Sequence, residues 1–204
     1  MKRNDLLKMI AEKGYDVGFG AKRNFATFDI VTRAPIYISI VSIAIGIFEL
    51  AWPVLGGKII SIILLIAGLI SLVISLFDGD INKYDKEGNR ETNLWDRYKS
   101  LYQEVKDLDE NINININEYN KKLDSLNTEF YSQTITKQMW LSNWFAHYKF
   151  FNEMNIDWLD EQLHFKFWKD KIPGTAKWTI YIIVLILIIV LIYIYRAGFC
   201  SFIC

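Results

Sequence analysis

The sequence predicts an all-α integral membrane protein. We expect an N-terminal helix, a transmembrane helical hairpin, a long cytoplasmic helical hairpin of coiled-coil character and a third, C-terminal transmembrane helix. Three observations predict this fold. Three stretches are almost free of charge, and each is close to the roughly 20 residues that cross a bilayer core. A long polar segment separates the second stretch from the third, and its apolar residues recur at helical spacing. The expected parts are residues 1–33, 34–77, 78–177 and 178–204.

Composition restricts the class of protein further. Of the 204 residues, 52% are hydrophobic and only 3 are proline, which excludes a disordered or collagen-like chain. Lys and Arg together number 23, as do Asp and Glu, so the formal net charge is zero. A general nucleic-acid binder would be basic. The first expected partner is therefore the lipid bilayer, with no direct contact to nucleic acid.

The N-terminal segment predicts a short amphipathic helix over residues 4–13 that stops at Gly14. Gly18 and Gly20 have the composition of a phosphate-binding loop. Their context does not fit, because no strand precedes them and no G-K-[ST] follows. We therefore expect no nucleotide site at these glycines.

The first two apolar stretches predict a tight hairpin. Span one covers residues 34–52, with Pro35 in the first turn of its helix, where a missing N–H costs little. Pro53 and the two glycines that follow it break the chain. Span two covers residues 59–77 and carries no charge. The start of the chain should be retained rather than cleaved, because it holds acids as well as bases and no A-x-A site follows span one.

Small residues follow one face of each hairpin helix at spacing i, i+3, i+7. They are Ser39, Ser42 and Gly46 in span one, and Gly68, Ser71 and Ser75 in span two. Such faces let membrane helices approach closely. Two uses stay open: packing within the hairpin, or subunit association around a pore with the serines toward water.

Acidic residues mark both ends of the hairpin. Glu49 is the only ionisable residue inside a span, and it is either a functional group or a structural one that reaches water or Lys58. Asp78 and Asp80 follow span two. In an oligomer they would repeat as an acidic ring that favours cations, and in a monomer they are polar residues at a helix end.

Lys and Arg predict the orientation. They concentrate before span one and in residues 78–177, whereas the hairpin turn carries only Lys58 and the C-terminal tail only Arg196. By the positive-inside rule we expect a multi-pass protein of the cell (inner) membrane, with its N-terminus in the cytoplasm and its C-terminus outside. Span three, residues 178–195, has no Gly, Ala or Ser after Thr179 and is typical of a lipid-facing anchor.

Residues 91–130 predict one long helix, although INININ at 112–117 alternates like a strand. The apolar positions step by three and four residues, with a mean near 3.6. An extra four-residue step near residues 112–116 interrupts the heptads. The partner of this helix is the returning segment or another subunit. The predicted coiled-coil positions are Leu101, Val105, Leu108, Ile112, Ile116, Tyr119, Leu123 and Leu126.

The returning segment, residues 137–171, is rich in aromatic residues. Trp140, Trp144, Tyr148 and Phe151 share one helical face. This face either packs on the long helix or lies partly in the membrane interface.

No residues form a catalytic pattern. His147 and His164 have no metal-ligating partner at a useful spacing, and no nucleophile, zinc or phosphate-loop motif is present. We therefore expect no enzyme, no cofactor and no metal. Cys200 and Cys204 in the tail are a disulfide or two free thiols.

The segment GYDVGFGAKRNFATFDIVTRAPIYISIVSIAIGIFEL resembles the SLATT family, the two-transmembrane effector domains associated with SMODS nucleotidyltransferases and SLOG domains. The resemblance covers roughly residues 1–130. It includes a basic and aromatic segment that leads into the membrane, formed by Lys22, Arg23, Phe25 and Phe28, and then a tight hairpin and a long helix. The third span departs from the two-span plan of the family.

The resemblance implies a membrane effector of bacterial conflict and antiphage systems. Such an effector forms pores or disrupts membranes when a partner that makes or senses a nucleotide signal activates it. Our leading hypothesis is a homo-oligomer whose hairpins form or gate a pore. The alternative is a non-conducting, membrane-anchored scaffold that binds a partner through residues 91–130.

Overall fold

A computed structural model of the chain describes residues 3–52, 57–108 and 116–203, and the side chains of all of these except Asp78 and residues 193–203. Every regular element in these ranges is helical, which confirms the predicted all-α class. The helices are α1 (Arg3–Ala51), α2 (Lys58–Ser75), α3 (Ile81–Lys106), α4 (Ile116–Ser132), α5 (Ser142–Glu153), α6 (Asp157–Leu163), α7 (Phe167–Asp170) and α8 (Gly174–Ile203), with a 3-10 turn at Asp78–Asp80. Contacts divide the chain into two compact units, residues 1–164 and 165–204.

Three of these helices, α1, α2 and α8, are long and apolar enough to cross a membrane. α1 ends at Ala51, α2 begins at Lys58, and the two helices pack on each other, so the predicted hairpin is confirmed. The predicted chain break at Pro53 lies outside the described residues.

α1 corrects two expectations about the N-terminal half. It is one helix of 49 residues, about 73 Å long, and it does not stop at Gly14. Gly14 is buried, and a Cβ there would collide with the ring of Trp158. This glycine therefore serves close packing rather than helix termination. Pro35 also lies inside the helix, not in its first turn.

The N-terminal half of α1 forms the centre of a helical bundle. α3, α4, α5 and α6 all contact it. The buried stripe is wide because neighbours surround the helix on several sides. Its apolar members are Leu6, Leu7, Ile10, Ala11, Val17, Ala21, Ala26 and Val31.

The single long helix predicted over residues 91–130 is wrong. α3 ends at Lys106, and α4 begins at Ile116 and runs back antiparallel to α3. Ion pairs join the two helices from Arg97 to Glu129 at 2.7 Å and from Lys122 to Glu104 at 3.0 Å.

Two features explain this break. The segment 107–115 is rich in Asp and Asn, whose side chains compete with the helical backbone for hydrogen bonds. The side chain of Arg3 donates hydrogen bonds to the carbonyls of Val105 and Lys106, which satisfies the end of α3. The chain therefore supplies its own partner for the long apolar stripe.

Of the two alternatives for the aromatic face of the returning segment, packing on the long helix is wrong, whereas a position in the membrane interface stays a prediction. α5 buries Ser142, Ala146 and Phe150, and its partner is α1. These residues recur at spacing i, i+4, i+8, and the two small ones allow the helix axes to approach. On the opposite side, Trp140 and Tyr148 are exposed.

The second unit contains α7 and α8. Pro173 directly precedes α8, which begins at Gly174, four residues before the predicted span. The apolar side chains from Trp178 to Ile192 are exposed, as expected of a helix that faces lipid. The side chains of Cys200 and Cys204 lie outside the described part of the chain, so their redox state stays a prediction.

Candidate functional site in the membrane hairpin and its base

The hairpin has a packing seam, in which each helix covers one stripe of the other. In α1 and α2 these stripes are partly or fully buried and recur every three or four residues. The seam contains Ile38, Ser42, Ile45 and Glu49 on α1, and Ile60, Leu64, Ala67, Ser71 and Ile74 on α2. Two of the predicted small residues, Ser42 and Ser71, and the ionisable Glu49 therefore lie in the seam.

The other predicted small residues lie beside the seam, about 60–100° around each helix axis. Because the helices are antiparallel, this rotation brings both sets to the same side of the hairpin. We call this side the small-residue flank. It consists of Ser39 and Gly46 on α1, and Ser61, Gly68 and Ser75 on α2. Ser61 was missed from the sequence, although its i, i+7 spacing to Gly68 could have revealed it.

The small-residue flank is open in the single chain. A Cβ added at Gly46 or Gly68 would meet no atom within 4 Å. The hydroxyl of Ser39 donates to the carbonyl of Pro35 at 2.8 Å, and that of Ser75 to Leu72 at 2.7 Å. The serines thus satisfy their protons within their own helices and keep an oxygen free to accept a further hydrogen bond.

At the base of the hairpin, the 3-10 turn carries the two predicted acidic residues. Asp80 accepts a hydrogen bond of 2.8 Å from the ammonium of Lys83, and this bond lowers the pKa of Asp80. The side chain of Asp78 lies outside the described residues. The carboxylate of Asp80 is therefore ionised, but the neighbouring ammonium of Lys83 offsets part of its charge.

An apolar cluster joins the base of the hairpin to the bundle. Val31 on α1 and Ile74 on α2 are buried together with Ile81 and Tyr84 of α3 and with Met139. The hydroxyl of Tyr84 donates a hydrogen bond of 2.5 Å to the carbonyl of Lys137. The segment between α4 and α5 is thereby fixed beside the ends of the two spans.

Above this cluster, a buried polar network connects α1 with α3 and with the segment before α5. The amide of Asn24 donates to Glu91 at 2.8 Å, and that of Gln138 donates to Asn24 at 2.9 Å. The hydroxyl of Thr27 donates to Gln138 at 2.6 Å and accepts a bond of 3.3 Å from the backbone N–H of Met139. Sequence reasoning missed this network because each of its hydrogen bonds joins residues more than 60 positions apart and the residues share no motif.

Glu91 is the electrostatic centre of this network. Its side chain is 3% exposed, and this burial, reinforced by the nearby charge of Glu87, raises the pKa of Glu91 to about 7. The hydrogen bond from Asn24 opposes the shift. Glu91 also lines a cavity of about 220 Å³, which is large enough for several water molecules.

The opposite charge in this cavity belongs to Arg23. Its Nε atom is buried, and no hydrogen-bond partner for it exists among the described residues. Of the other residues in the basic and aromatic segment, burial lowers the pKa of Lys22, Phe25 fits against Gly88, and Phe28 packs on the apolar cluster. In this segment the residues suggested by the family resemblance therefore hold the bundle together.

The predicted coiled-coil positions are mostly covered within the chain. Four are buried and three half-buried, and Ile112 is outside the described residues. The buried ones are Leu101, Val105, Leu123 and Leu126, and the half-buried ones are Leu108, Ile116 and Tyr119. A coiled coil between subunits through these positions stays a prediction, and it would require α4 to leave α3.

Within residues 3–52, 57–108 and 116–203, no group of three or more His, Cys, Asp or Glu side chains is arranged to hold a metal ion. A family model described as SMODS and SLOG-associating 2TM effector domain 6 matches residues 1–180. The match extends beyond the region of resemblance in the sequence and reaches the first turns of α8. No curated protein and no solved structure matches the chain.

Proposed function

The chain belongs to the SMODS and SLOG-associating 2TM effector domain 6 family, and we propose that its hairpins self-associate to form or gate a pore in the inner membrane. Membership makes it a two-transmembrane effector of conflict systems. The proposal adds the mode of action, which is that the pore depolarises or permeabilises the membrane in antiphage defence. The activating partner is a protein that makes or senses a nucleotide signal.

The open small-residue flank is the observation that carries this proposal. Glycine and serine on a membrane helix permit close backbone contact with a second helix. Within one chain this contact is unused, because nothing approaches Gly46 or Gly68. A second hairpin that docks on the flank would fill this space and bring the oxygens of Ser39, Ser61 and Ser75 to the interface.

The continuous α1 supports control from the cytoplasmic side. Its first half is the centre of the bundle, and its second half is a wall of the hairpin. A partner that displaces the bundle would therefore move span one directly. We propose that the bundle lies in the cytoplasm and the C-terminus outside, because Lys and Arg are concentrated before span one and in residues 78–177 rather than in the hairpin turn or the tail.

The residues at the base of the hairpin define the ion preference that we propose. Asp78 and Asp80 would repeat around an oligomeric mouth and attract cations. Lys83 pairs with Asp80 and would weaken this preference. Lys83→Gln should therefore increase cation over anion selectivity, measured as a shift of the reversal potential in a salt gradient.

Ion flux across proteoliposomes that contain the full chain and its native partner tests the pore. The test variant is Gly46→Leu with Gly68→Leu, which fills the small-residue flank. The matched control is Val41→Leu with Ile70→Leu on the other side of the seam, where side chains are already large. We expect the flank variant to lose flux while it still inserts in the membrane, and the control variant to conduct like the wild type.

Flux that persists unchanged in the flank variant would contradict the pore at this surface. A wild-type protein that does not conduct with its partner present would favour the scaffold. One observation supports that second function: α3 and α4 enclose an open groove of about 520 Å³ with charged walls that include Arg97, Glu104 and Lys122. A scaffold would bind its partner there, and Arg97→Glu would weaken the binding without any flux being involved.

A further inference from the structure

The segment between α4 and α5 runs beside the base of the membrane hairpin. Met139 is buried in one cluster with Val31 and Ile74, and Ile74 belongs to the last turn of α2. The ammonium of Lys137 lies 4.6 Å from the centre of the Phe77 ring. Residues 137–139 therefore lie at the level where the apolar spans end.

The next two residues, Trp140 and Leu141, lie at the same level and their side chains are exposed on the protein surface. Trp140 is 71% exposed and Leu141 is 38% exposed. Leu141 also has a φ of 66°, in the left-handed region that residues other than glycine rarely adopt. The backbone conformation thus turns an exposed apolar pair outward at the point where α5 begins.

Such a turn is unfavourable in water, because strained backbone and exposed apolar surface both cost free energy. The neighbouring residues are nevertheless firmly held. Tyr84 binds the carbonyl of Lys137, and Gln138 bonds to both Thr27 and Asn24. The exposed pair is therefore a fixed feature of the surface.

We propose that Trp140 and Leu141 insert into the interfacial layer of the bilayer, between headgroups and acyl chains. Tryptophan favours this layer because its ring is apolar and its N–H is polar. Lys137, three residues before Trp140, would place its ammonium among the lipid phosphates. The surface is continuous with the ends of the hairpin, so the occupant is lipid. This inference needs only that α1 and α2 cross the membrane, and it is independent of the pore.

The direction of α5 supplies a matched control. Phe150 approaches Gly18, whereas Met139 packs at the level of Val31, 13 residues further along α1. That separation is about 20 Å along the α1 axis, so α5 runs away from the membrane. Tyr148 is 57% exposed and lies within α5, on the face opposite Phe150 and seven residues after Leu141. It should lie outside the interfacial layer.

The experiment compares a fluorescent label at these two positions in the full chain. Trp140→Cys and Tyr148→Cys are made with Cys200→Ser and Cys204→Ser, labelled, and reconstituted in phosphatidylcholine and phosphatidylglycerol vesicles. Quenching by a lipid with a spin label near its headgroup is measured beside quenching by aqueous iodide. We expect several-fold stronger lipid quenching at 140 than at 148, and the reverse order with iodide. A label at Leu69→Cys, within span two, is the reference for a position shielded from iodide.

Equal quenching patterns at the two positions would overturn the proposal. So would a label at 140 that is shielded from both quenchers, because that result would indicate a protein contact in place of lipid. Far-ultraviolet circular dichroism of each variant shows whether the helical fold is kept. Trp140→Phe, labelled at Leu141→Cys, repeats the measurement without loss of the aromatic ring.

Discussion

The side-chain amide of Asn24 on α1 donates a hydrogen bond of 2.8 Å to the carboxylate of Glu91 on α3, and both side chains are buried. α1 continues into the first span, and α3 follows the second span after one short turn. This bond therefore connects the segment that leads into the first span with the helix that follows the second span. Any movement that separates α1 from α3 at this level must break the Asn24–Glu91 hydrogen bond.

Glu91 predicts a pH-dependent stability. Its pKa is raised from 4.5 to about 7 in the folded chain, so the folded state holds the proton more tightly than the unfolded state. Stability is therefore fully present below about pH 4.5 and declines as pH rises toward 7, by at most about 3 kcal/mol. We expect the thermal midpoint, measured in detergent, to decrease as the pH is raised from 5 to 8. In Glu91→Gln this decrease should be smaller.

Glu12→Gln is the control for this prediction, because Glu12 is an exposed acid on the same helix as Asn24. The thermal midpoint of Glu12→Gln should decrease with rising pH as that of the wild type does. If Glu91→Gln and Glu12→Gln gave the same profile, the buried carboxyl would not be the source of the pH dependence.

Two arginines of α3, Arg90 and Arg97, should differ strongly in how much their loss reduces the free energy of unfolding. Arg90 pairs with Glu87 at 2.6 Å, and it donates to the carbonyls of Glu129 at 3.0 Å and Gln133 at 2.6 Å, which closes the end of α4. Its loss leaves the buried pair partner Glu87 and the carbonyl of Gln133 without the guanidinium, so Arg90→Met should cost about 2–4 kcal/mol of unfolding free energy. The measurement is urea unfolding in detergent.

Arg97→Met is the comparison. Arg97 also reaches α4, but its pair with Glu129 is about half exposed and should contribute less than about 1 kcal/mol. Equal losses for the two variants would show that Arg90 acts as an ordinary surface ion pair.

Much of the fold could be predicted from the sequence, since span length and helical spacing depend on local composition. The hairpin, the third apolar helix and the all-α class followed from these two signals. The break between Lys106 and Ile116 could not be predicted, because a continuous apolar stripe fits one long helix as well as two antiparallel ones. The choice depends on which surface covers the stripe, and that surface is the chain itself.

The candidate site shows the same division. The spacing of Ser39, Gly46, Gly68 and Ser75 identified small faces, but the division of those faces between seam and flank depends on where the second helix lies. The partnership of Asn24 with Glu91 depends on tertiary packing alone. Likewise, Gly14 was interpreted as a helix end because glycine serves both termination and close packing, and only the ring of Trp158 shows which applies.

Gly18 predicts a steric effect in the bundle. A Cβ at this position would lie 2.5 Å from Cδ1 and 2.7 Å from Nε1 of the Trp95 ring, which is rigid and itself buried. Gly18→Ala should therefore destabilise the chain by about 1–3 kcal/mol, despite the better helix propensity of alanine. Thermal unfolding in detergent measures both variants. Gly46→Ala, at an open position in the same helix, should leave the thermal midpoint unchanged or raise it. A stabilised Gly18→Ala would show that Trp95 can shift without cost.

Pro35 predicts a weak point where α1 passes from the bundle to the membrane. Proline has no N–H, so the carbonyl of Val31 lacks its helical hydrogen bond, and the proline ring crowds the preceding turn. Pro35→Ala restores that bond and should slow amide hydrogen exchange of residues 36–39 by about tenfold or more, which corresponds to about 1.4 kcal/mol. Ile36→Ala, which shortens an exposed neighbour and leaves the backbone pattern unchanged, should not slow exchange there. Faster exchange in Pro35→Ala would contradict this prediction and would mean that Pro35 stabilises the junction.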